Sequence, residues 1–394
     1  MFFVTAFLIA SLSFCGCEGY SKNGGGTTSD TTDPDLYTSE TTEGTEAEVT
    51  TLDILPENIK LTMRQISTVS SEAYTDERKY ADYLTISQKK CLIPGLVQNT
   101  VPQGLSVSPI DGRIYVSSYS NASATSSVIL VMNRDGESVA EYIIKNADGT
   151  PFTEHVGGIA VTEQYMYVTI GGDGNGAYHL AEFCLSDLQR YGTSEILIEN
   201  TVSVPSGTGF LSYADGILWT GNFYLKGAYD LGTKFNFTTT ADGKENGGYA
   251  AAYLLDETNG RLVEDASLGY ARPDYVLSIP DKVQGFAYRN GKVFLSISYG
   301  RKNDSFLAVY NTTLKKTGKT VTVDGVSYHF DILSNSNLAD KLTLMPMTEG
   351  MAFSLDGELL ILYESAAIKY SDSRCPTAYI WATEINTNFF KAID

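Results

Sequence analysis

Several residue types are scarce in this 394-residue chain, and each shortage argues against a class of function. Only three histidines occur (His155, His179 and His329), and no pair among the five cysteines has the spacing of a metal site. Lysine and arginine number 28 against 47 acidic residues, which gives a formal net charge of −19, and no basic stripe is present. An acidic surface repels phosphate backbones, so nucleic-acid binding is disfavoured.

Common catalytic and phosphate-binding motifs are missing as well. The chain has no Gly-x-Ser-x-Gly sequence of the kind that exposes a nucleophilic serine. Residues 171–176 read Gly-Gly-Asp-Gly-Asn-Gly, but no helical pattern follows to present backbone amides to a phosphate. This segment therefore indicates a loop between strands.

The first seventeen residues are typical of an export signal. An apolar run over 2–10 is too short for a membrane-spanning helix and is followed by small residues. The segment resembles the bacterial lipoprotein signal, which implies that Gly16 precedes the cleavage site and that Cys17 carries the lipid. It departs from that pattern because no Lys or Arg precedes the apolar run and Phe14 stands where leucine is usual. Plain secretion is the alternative.

Residues 18–55 indicate a flexible tether. They are dominated by Gly, Ser, Thr and acidic residues, with nine acids and one lysine, and they contain few large apolar side chains. Such a composition cannot offset the entropy lost on ordering. The sequence therefore predicts a signal peptide over 1–17, a disordered tether over 18–55 and a folded domain over 56–394.

A repeated phrase dominates the folded domain: a glycine, a short apolar strand, a turn and a second strand. Five copies begin near residues 104, 157, 209, 285 and 350. Asp-Gly and Asn-Gly dipeptides mark the turns, as expected for tight hairpins. Repeated all-strand units that cannot bury their own faces predict an all-β propeller with five four-stranded blades, and six blades is the alternative.

The last repeat lacks an outer strand, and we expect the N-terminal part of the domain to supply it. Residues 91–97 precede the first repeat and are apolar, so pairing them with the last repeat would close the ring without an exposed edge. The same closure would bring Cys91 near Cys375, which predicts a disulfide. Insertions over 225–247 and 313–340 lengthen two units, and residues 72–83 are typical of a short helix at the start of the domain.

In a propeller, the start of the first strand and the end of the second strand of each blade open at the same mouth of the central channel. Polar and aromatic residues recur at these positions, and a concave central site of this kind is the default ligand site. The candidate ligand-binding residues are Gln103, Tyr119, His155, Asn222, Gln284, Tyr299, Arg301, Glu349 and Glu364. Further polar residues at the same positions are Ser118, Glu154, Asp173, Tyr224 and Ser365. The alternative is that these groups only solvate strand ends.

Four kinds of chemistry fit subsets of these residues. His155 could act as a base with Glu154, Glu349 or Glu364 as its partner. Glu349 and Glu364 could flank a glycosidic bond. Glu349, Asn222 and Asp173 could hold calcium. Tyr119, Tyr299 and Tyr363 could stack on sugar rings.

The segments 281–287, 295–305 and 362–367 resemble those of secreted bacterial β-propeller proteins and lipoproteins without a characterised activity. More distantly, the chain is similar to the regucalcin, gluconolactonase and strictosidine synthase group. That resemblance implies a calcium ion held in the channel by Glu, Asn and Asp side chains, and only Glu349 and Asn222 stand at matching places.

These observations together predict an exported, lipid-anchored propeller on the extracellular side of the membrane. We expect a monomer that binds a small molecule, a glycan or a protein at the channel mouth. A propeller enzyme, either a metal-dependent hydrolase or lactonase or a lyase, is the alternative. A third possibility is an interaction scaffold that uses the 225–247 insertion.

Overall fold

The computed structural model describes residues 78–172, 177–229, 235, 239–312, 314 and 320–385. The predicted signal peptide, the tether and Asp173 lie outside the described residues. Within these ranges, no helix combines the length and the apolar character needed to cross a membrane.

Strands make up most of the described chain, with a few short helices. A 3-10 turn over Arg78–Tyr80 leads into helix α1 (Ala81–Thr85), so the described part of the predicted starting helix is helical. Further 3-10 turns lie at Leu96–Gln98, Leu185–Asp187 and Ile368–Tyr370. The strands in chain order are β1 (Ser87–Leu92), β2 (Thr100–Val107), β3 (Ile114–Ser120), β4 (Val128–Met132), β5 (Ser138–Asn146), β6 (Ile159–Val161), β7 (Tyr165–Gly172), β8 (Tyr178–Cys184), β9 (Gly192–Ile198), β10 (Asn200–Val204), β11 (Phe210–Ala214), β12 (Ile217–Gly221), β13 (Thr239–Ala241), β14 (Lys244–Asn246), β15 (Gly248–Leu254), β16 (Tyr275–Ile279), β17 (Val283–Arg289), β18 (Lys292–Ile297), β19 (Ser305–Asn311), β20 (Thr320–Val323), β21 (Val326–Ile332), β22 (Leu338–Leu344), β23 (Thr348–Phe353), β24 (Leu359–Tyr363) and β25 (Tyr379–Thr383).

Five sheets form the five blades of a propeller. From the centre outwards, the strand orders are β2-β3-β4-β5-β9, β6-β7-β8-β10, β11-β12-β15-β16-β21-β20, β17-β18-β19-β22 and β23-β24-β25-β1. The inner strands β2, β6, β11, β17 and β23 contact one another in that order, and β23 contacts β2. The predicted five-bladed propeller is therefore confirmed.

The ring closes as predicted, through an N-terminal strand in the last blade. Strand β1 pairs antiparallel with β25 and supplies the fourth strand of blade 5. The strand lies earlier than expected, at Ser87–Leu92, because Pro94 and Gly95 turn the chain into the 3-10 turn that follows. Gly95 has a φ of 81°, a conformation that glycine adopts without strain.

The insertions join neighbouring blades. Strand β9 lies between β8 and β10 of blade 2 in the sequence, but it pairs in parallel with β5 of blade 1. Likewise, β20 and β21 lie between two strands of blade 4 and extend blade 3 by parallel pairing of β21 with β16. The predicted 225–247 insertion carries the separate β13–β14 hairpin. Blades 1 and 3 are therefore extended beyond four strands by segments from neighbouring blades.

The repeated glycines lie where inner strands meet backbone to backbone. A Cβ atom on Gly350 would lie 2.4 Å from the Leu105 nitrogen, and one on Gly158 would lie 2.3 Å from the Leu211 nitrogen. A Cβ atom on Gly104 would lie 2.7 Å from the Ile159 nitrogen. Backbone atoms of a packed neighbouring strand cannot move aside cheaply, so a side chain at these positions does not fit.

The predicted disulfide between Cys91 and Cys375 is wrong, because neither cysteine takes part in a disulfide. Cys91 lies in the core between blades 5 and 1, where its Sγ is 3.8 Å from Met132 Sδ. Cys375 lies in the core between blades 4 and 5. Successive residues of β24 alternate between these two cores, so the thiols face opposite sides of blade 5. Burial raises the pKa of Cys91 to about 12, as expected for an inert core thiol.

Candidate functional site

A pair of glutamates meets at the channel mouth where blades 5 and 1 adjoin. Glu349 lies near the start of β23, and Glu364 directly follows β24. Their carboxyl groups are hydrogen-bonded to each other, and Gln103 Nε2 donates to Glu364 Oε2 over 3.0 Å. Glu349 and Gln103 are buried, whereas Glu364 keeps partial contact with solvent. The structure brings together these three residues, which the sequence predicted for one site.

Irregular pairing at the repeated glycines helps to place these side chains. The register between β2 and β3 shifts between Pro102 and Gly104, and the register between β23 and β24 shifts between Thr348 and Met351. The same irregularity occurs in blade 4 around Gln284, which is partly exposed. Because a bulge re-aims a side chain, the residue before the glycine leaves the regular alternation of the strand.

Burial keeps the Glu349–Glu364 pair partly protonated at pH values where a carboxyl group in water is ionised. Burial and then the neighbouring Glu364 carboxylate raise the pKa of Glu349 well above its ordinary value. Burial also raises the pKa of Glu364 to about 7, against the hydrogen bonds from Gln103, Glu349 and Tyr370 and the charge of Lys369. Glu364 loses less hydration than Glu349 because part of it reaches solvent. The pair thus retains a shared proton near pH 7.

A lysine and two tyrosines continue this hydrogen-bonded chain towards solvent. Lys369 Nζ donates to Tyr119 Oη over 2.7 Å, and Tyr119 Oη lies 3.2 Å from Tyr370 Oη. Tyr370 in turn hydrogen-bonds to Glu364. Burial raises the pKa of Tyr370, so its phenol is neutral. The sequence identified Tyr119 but missed Lys369 and Tyr370; the only signal was their place in the loop between β24 and β25, which rims the mouth.

His155 and Arg301 complete the wall around the tyrosines. The His155 ring packs on the Tyr119 ring at 4.2 Å between centroids. Although the imidazole is solvent-accessible, the surrounding protein and then Lys369 lower its pKa, so it is neutral at pH 7. Arg301 Cζ lies 4.9 Å above the Tyr370 ring, and its Nη1 pairs with Asp372 over 2.6 Å.

The predicted pairing of His155 with a glutamate does not form. Among the described residues, His155 has no hydrogen bond to Glu154, Glu349 or Glu364, and its packing partner is Tyr119. The backbone oxygen of the exposed Glu154 accepts from Ser127 Oγ over 2.7 Å, so this residue has a structural contact. A histidine base activated by a carboxylate is therefore not present in this arrangement.

Other predicted residues have structural partners. Asn222 Oδ1 accepts the Tyr249 N–H over 2.6 Å, and Ser365 Oγ accepts the Thr377 N–H over 3.1 Å. Tyr363 is wholly buried in the core and presents no ring to the mouth, which corrects its predicted stacking role. Ser118 is also buried.

Aromatic rings are exposed on the blade 3 and blade 4 side of the mouth. Tyr299 is 43% exposed, lies 6.2 Å from Phe223 between ring centroids and has Lys282 Nζ 5.6 Å from its ring. Tyr229 is 49% exposed and packs edge-on against Phe223. Tyr299 stands two residues before Arg301, whose guanidinium packs on the Tyr370 ring. This aromatic cluster is therefore near the Tyr119–Tyr370 part of the site.

The predicted calcium ligands do not assemble. Asn222 is engaged by a backbone amide and Glu349 by Glu364, while Asp173 lies outside the described residues. Within the described part of the chain, no three His, Cys, Asp or Glu residues are grouped for metal binding. These residues do not fit the calcium site that the resemblance implied.

The glutamate pair also does not match the geometry of a glycosidase. Catalytic carboxyl groups are separated by about 5 to 5.5 Å in retaining enzymes and by about 6.5 to 9.5 Å in inverting enzymes. Glu349 and Glu364 are in direct hydrogen-bond contact, so no glycosidic bond fits between them. What the pair offers to a ligand is hydrogen-bond acceptors, because its shared proton lies between the two carboxyl groups.

Comparison with known proteins gives structural neighbours only. No protein-family model matches the sequence, and no curated protein matches it. Similar solved structures include a putative oxidoreductase (glucose dehydrogenase) from Thermus thermophilus. It shares 12% identity over 76% of this chain and 99% of its own, with a TM-score of 0.38. A GH43_1 enzyme from Xanthomonas citri shares 12% identity over 77% of this chain and 92% of its own, with a TM-score of 0.38. The PQQ-bound aldose sugar dehydrogenase of Streptomyces coelicolor shares 12% identity over 70% of this chain and 76% of its own, with a TM-score of 0.33. At these values the likeness carries no argument about activity.

Proposed function

We propose that the protein is a binding propeller that takes a neutral polyhydroxylated ligand, of the sugar class, at the channel mouth. The observation that carries this proposal is the hydrogen-bonded Glu349–Glu364 pair, whose outer member reaches solvent. The shared proton is taken up by the hydrogen bond between the two carboxyl groups, so the pair presents acceptor oxygens to a ligand. The hydroxyl groups of a sugar are donors that such acceptor oxygens can bind.

Two further features support a sugar-class ligand. The exposed ring of Tyr299 offers an apolar face for the C–H side of a pyranose. Arg301 and Lys369 lie beside the tyrosine wall and add donors, while Gln103 fixes the orientation of Glu364. A few placed polar groups beside aromatic faces are typical of small-molecule sites.

Export and anchoring belong to the same proposal. The signal-like segment over 1–17 with Cys17 and the acidic tether over 18–55 would hold a monomeric propeller at the extracellular side of the membrane. A ligand-binding domain on such a tether would sample ligands near the cell surface.

Removal of the Glu364 charge tests the site. Isothermal titration with glucose, galactose, xylose and arabinose should show binding of at least one sugar to the native protein. Glu364→Gln should weaken that binding about tenfold or more. The amide replaces one acceptor oxygen of Glu364 with an N–H donor, so the buried Glu349 and Gln103 lose part of their hydrogen bonding. The control variant Glu199→Gln removes one negative charge from an exposed residue and should leave binding unchanged. If no sugar binds, or if Glu364→Gln binds as the native protein does, the proposal is wrong.

An acid–base enzyme is the second candidate, and one observation favours it. The pKa of Glu364 is about 7, which is suited to proton transfer at neutral pH. Turnover of 4-nitrophenyl esters, 4-nitrophenyl glycosides or lactones, lost in Glu364→Gln and kept in Glu199→Gln, would establish this function. Absence of turnover together with sugar binding would leave the binding function.

A further inference from the structure

A second cavity lies at the end of the channel opposite the glutamate pair. It has a volume of about 320 Å³ and is lined by residues from all five blades. Gln103 and Glu349 stand near the starts of inner strands, whereas the cavity residues stand at the ends of those strands and in the turns that follow. The cavity therefore shares the channel with the mouth but none of its residues.

Arg289 brings a positive charge to this cavity. It ends β17 in blade 4, its Cζ lies 5.0 Å from the Phe353 ring, and its guanidinium lies against Gly357 of blade 5. A Cβ atom on Gly357 would approach Arg289 Nη1 to 2.8 Å, so glycine makes room for the guanidinium. Within the described part of the chain, Arg289 makes no ion pair or hydrogen bond through its side chain. The donors of a well-placed guanidinium are thus left for a ligand.

Negative charge lines the cavity from other blades. Tyr213 Oη of blade 3 donates to Glu163 Oε2 of blade 2 over 2.5 Å, which fixes the carboxylate and leaves its other oxygen available. Asp215 lies in the turn after β11 and is exposed. Arg289 belongs to the junction of blades 4 and 5, and the two acids belong to blades 2 and 3. Opposite charges therefore approach the pore from different sides.

Apolar side chains occupy the wall between these charges. Leu105, Ala287, Ala352 and Phe353 line the cavity, together with Val107. A ligand with only a carboxylate would meet Arg289 but would be repelled by Glu163 and Asp215. A ligand with only an amine would leave Arg289 unpaired in a partly desolvated place. Charge complementarity favours a molecule that carries both charges and an apolar group.

We propose that this cavity binds a free apolar α-amino acid as its zwitterion. The carboxylate pairs with the Arg289 guanidinium, the ammonium group pairs with Glu163 and Asp215, and the side chain packs on the Leu105, Ala352 and Phe353 wall. Bidentate contact between a guanidinium and a carboxylate supplies orientation as well as affinity. This site is independent of the mouth and of the proposed sugar binding.

Titration with matched ligands tests the proposal on the whole folded protein. L-leucine and L-phenylalanine are the probes, while L-leucinamide lacks the carboxylate and 4-methylpentanoate lacks the amine. We expect saturable binding of at least one amino acid by calorimetry below about 10 mM. If L-leucine binds, we expect it to bind about tenfold or more tightly than L-leucinamide or 4-methylpentanoate. If L-phenylalanine binds, the matching analogues are phenylalaninamide and 3-phenylpropionate.

Two variants assign each charge. Arg289→Gln should abolish the preference for the amino acid over its amide, and Glu163→Gln should reduce its preference over the amine-free acid. Glu199→Gln and the mouth variant Glu364→Gln should bind the amino acid as the native protein does. Thermal unfolding of each variant checks that the fold is kept.

The proposal is overturned by any of three results. Neither amino acid binds, the amide binds as tightly as the amino acid, or a folded Arg289→Gln protein binds unchanged. In the last case, Arg289 only packs on Phe353. Because Glu364→Gln reports on the mouth alone, failure here is distinguishable from failure of the sugar proposal.

Discussion

The glutamates at the channel mouth are held in a state that water would not favour. A carboxyl group in water is ionised at neutral pH, but burial disfavours the charged form of both glutamates, and the Glu364 carboxylate raises the pKa of Glu349 further. Gln103, Tyr370 and Lys369 oppose this effect only at Glu364, the outer member. The inner residue, Glu349, therefore keeps a proton, and the outer one titrates near neutrality.

This pair makes stability depend on pH with a definite sign. The pKa of Glu364 rises from 4.5 to about 7 on folding, so its contribution to stability is present below pH 4.5 and is lost as pH rises through 7. The free energy of unfolding should fall by up to about 3.5 kcal/mol across that range, at about 1.4 kcal/mol for each pKa unit. Urea unfolding of native and Glu364→Gln protein between pH 5 and pH 8 measures it. The variant should show a flatter profile, and Glu199→Gln should follow the native one; parallel profiles for all three would contradict the assignment.

At the residue scale, the sequence predicted which residues stand at the channel mouth better than it predicted their hydrogen-bond partners. Glu349, Glu364 and Gln103 were found because the repeat fixes where inner strands begin. Asn222 was misread because its neighbour in space, Tyr249, is 27 residues away and nothing in the repeat shows that the amide turns to that backbone. Tyr363 was misread because a one-residue step along a strand moves a side chain from the mouth to the core.

At the scale of elements, inner strands of neighbouring blades approach each other backbone to backbone at the repeated glycines. In four of the five repeats the glycine lies against the backbone of the neighbouring blade, where a side chain would separate the two blades. In blades 1 and 2 a hydroxyl of the second strand also accepts the glycine N–H. Ser117 Oγ accepts the Gly104 N–H over 3.0 Å, and Thr169 Oγ1 accepts the Gly158 N–H over 2.9 Å. Blade contact and hydrogen bonding therefore depend on the same short phrase.

Gly350 should tolerate no side chain. Gly350→Ala places a methyl group 2.4 Å from the Leu105 nitrogen and 2.9 Å from the Gly104 carbon, both backbone atoms of blade 1. We expect a loss of about 3 kcal/mol in the free energy of unfolding, measured with urea. Gly149→Ala is the control: its Cβ meets open space, and its φ of 82° costs about 1 kcal/mol. Equal losses for the two variants would show that the blades do not need this close approach.

The elements were largely predictable, because turns and glycines recur at a fixed place in each blade. The parallel strands β9 and β21 were not, since each lies in the sequence of one blade and pairs with another. The disulfide failed for a related reason. Closure by β1 correctly brought Cys91 to blade 5, but the register of β1 on β25 decides the face on which its thiol lies.

At the scale of the whole molecule, three strand exchanges hold the ring together. β1 completes blade 5 from the other end of the described chain, while β9 and β20–β21 link blade 1 to blade 2 and blade 3 to blade 4. A blade that borrows a strand cannot unfold without exposing the edge of its neighbour. We infer that the blades lose structure together rather than one at a time.

Removal of β1 should therefore destabilise more than the blade that it completes. A chain that begins at Asn99 lacks both helix α1 and β1, so the matched control is a chain that begins at Ile86, which lacks α1 but keeps β1. Without β1, the edge of β25 and apolar residues such as Ile380 and Met132 become exposed, so blades 5 and 1 lose their shared core. Hydrogen exchange followed by mass spectrometry should show lost protection in β23–β25 and also in β2–β4, with self-association through the open edge. If exchange in the shorter chain rises only in β25, the ring does not act as one cooperative unit, and the borrowed strand stabilises only blade 5.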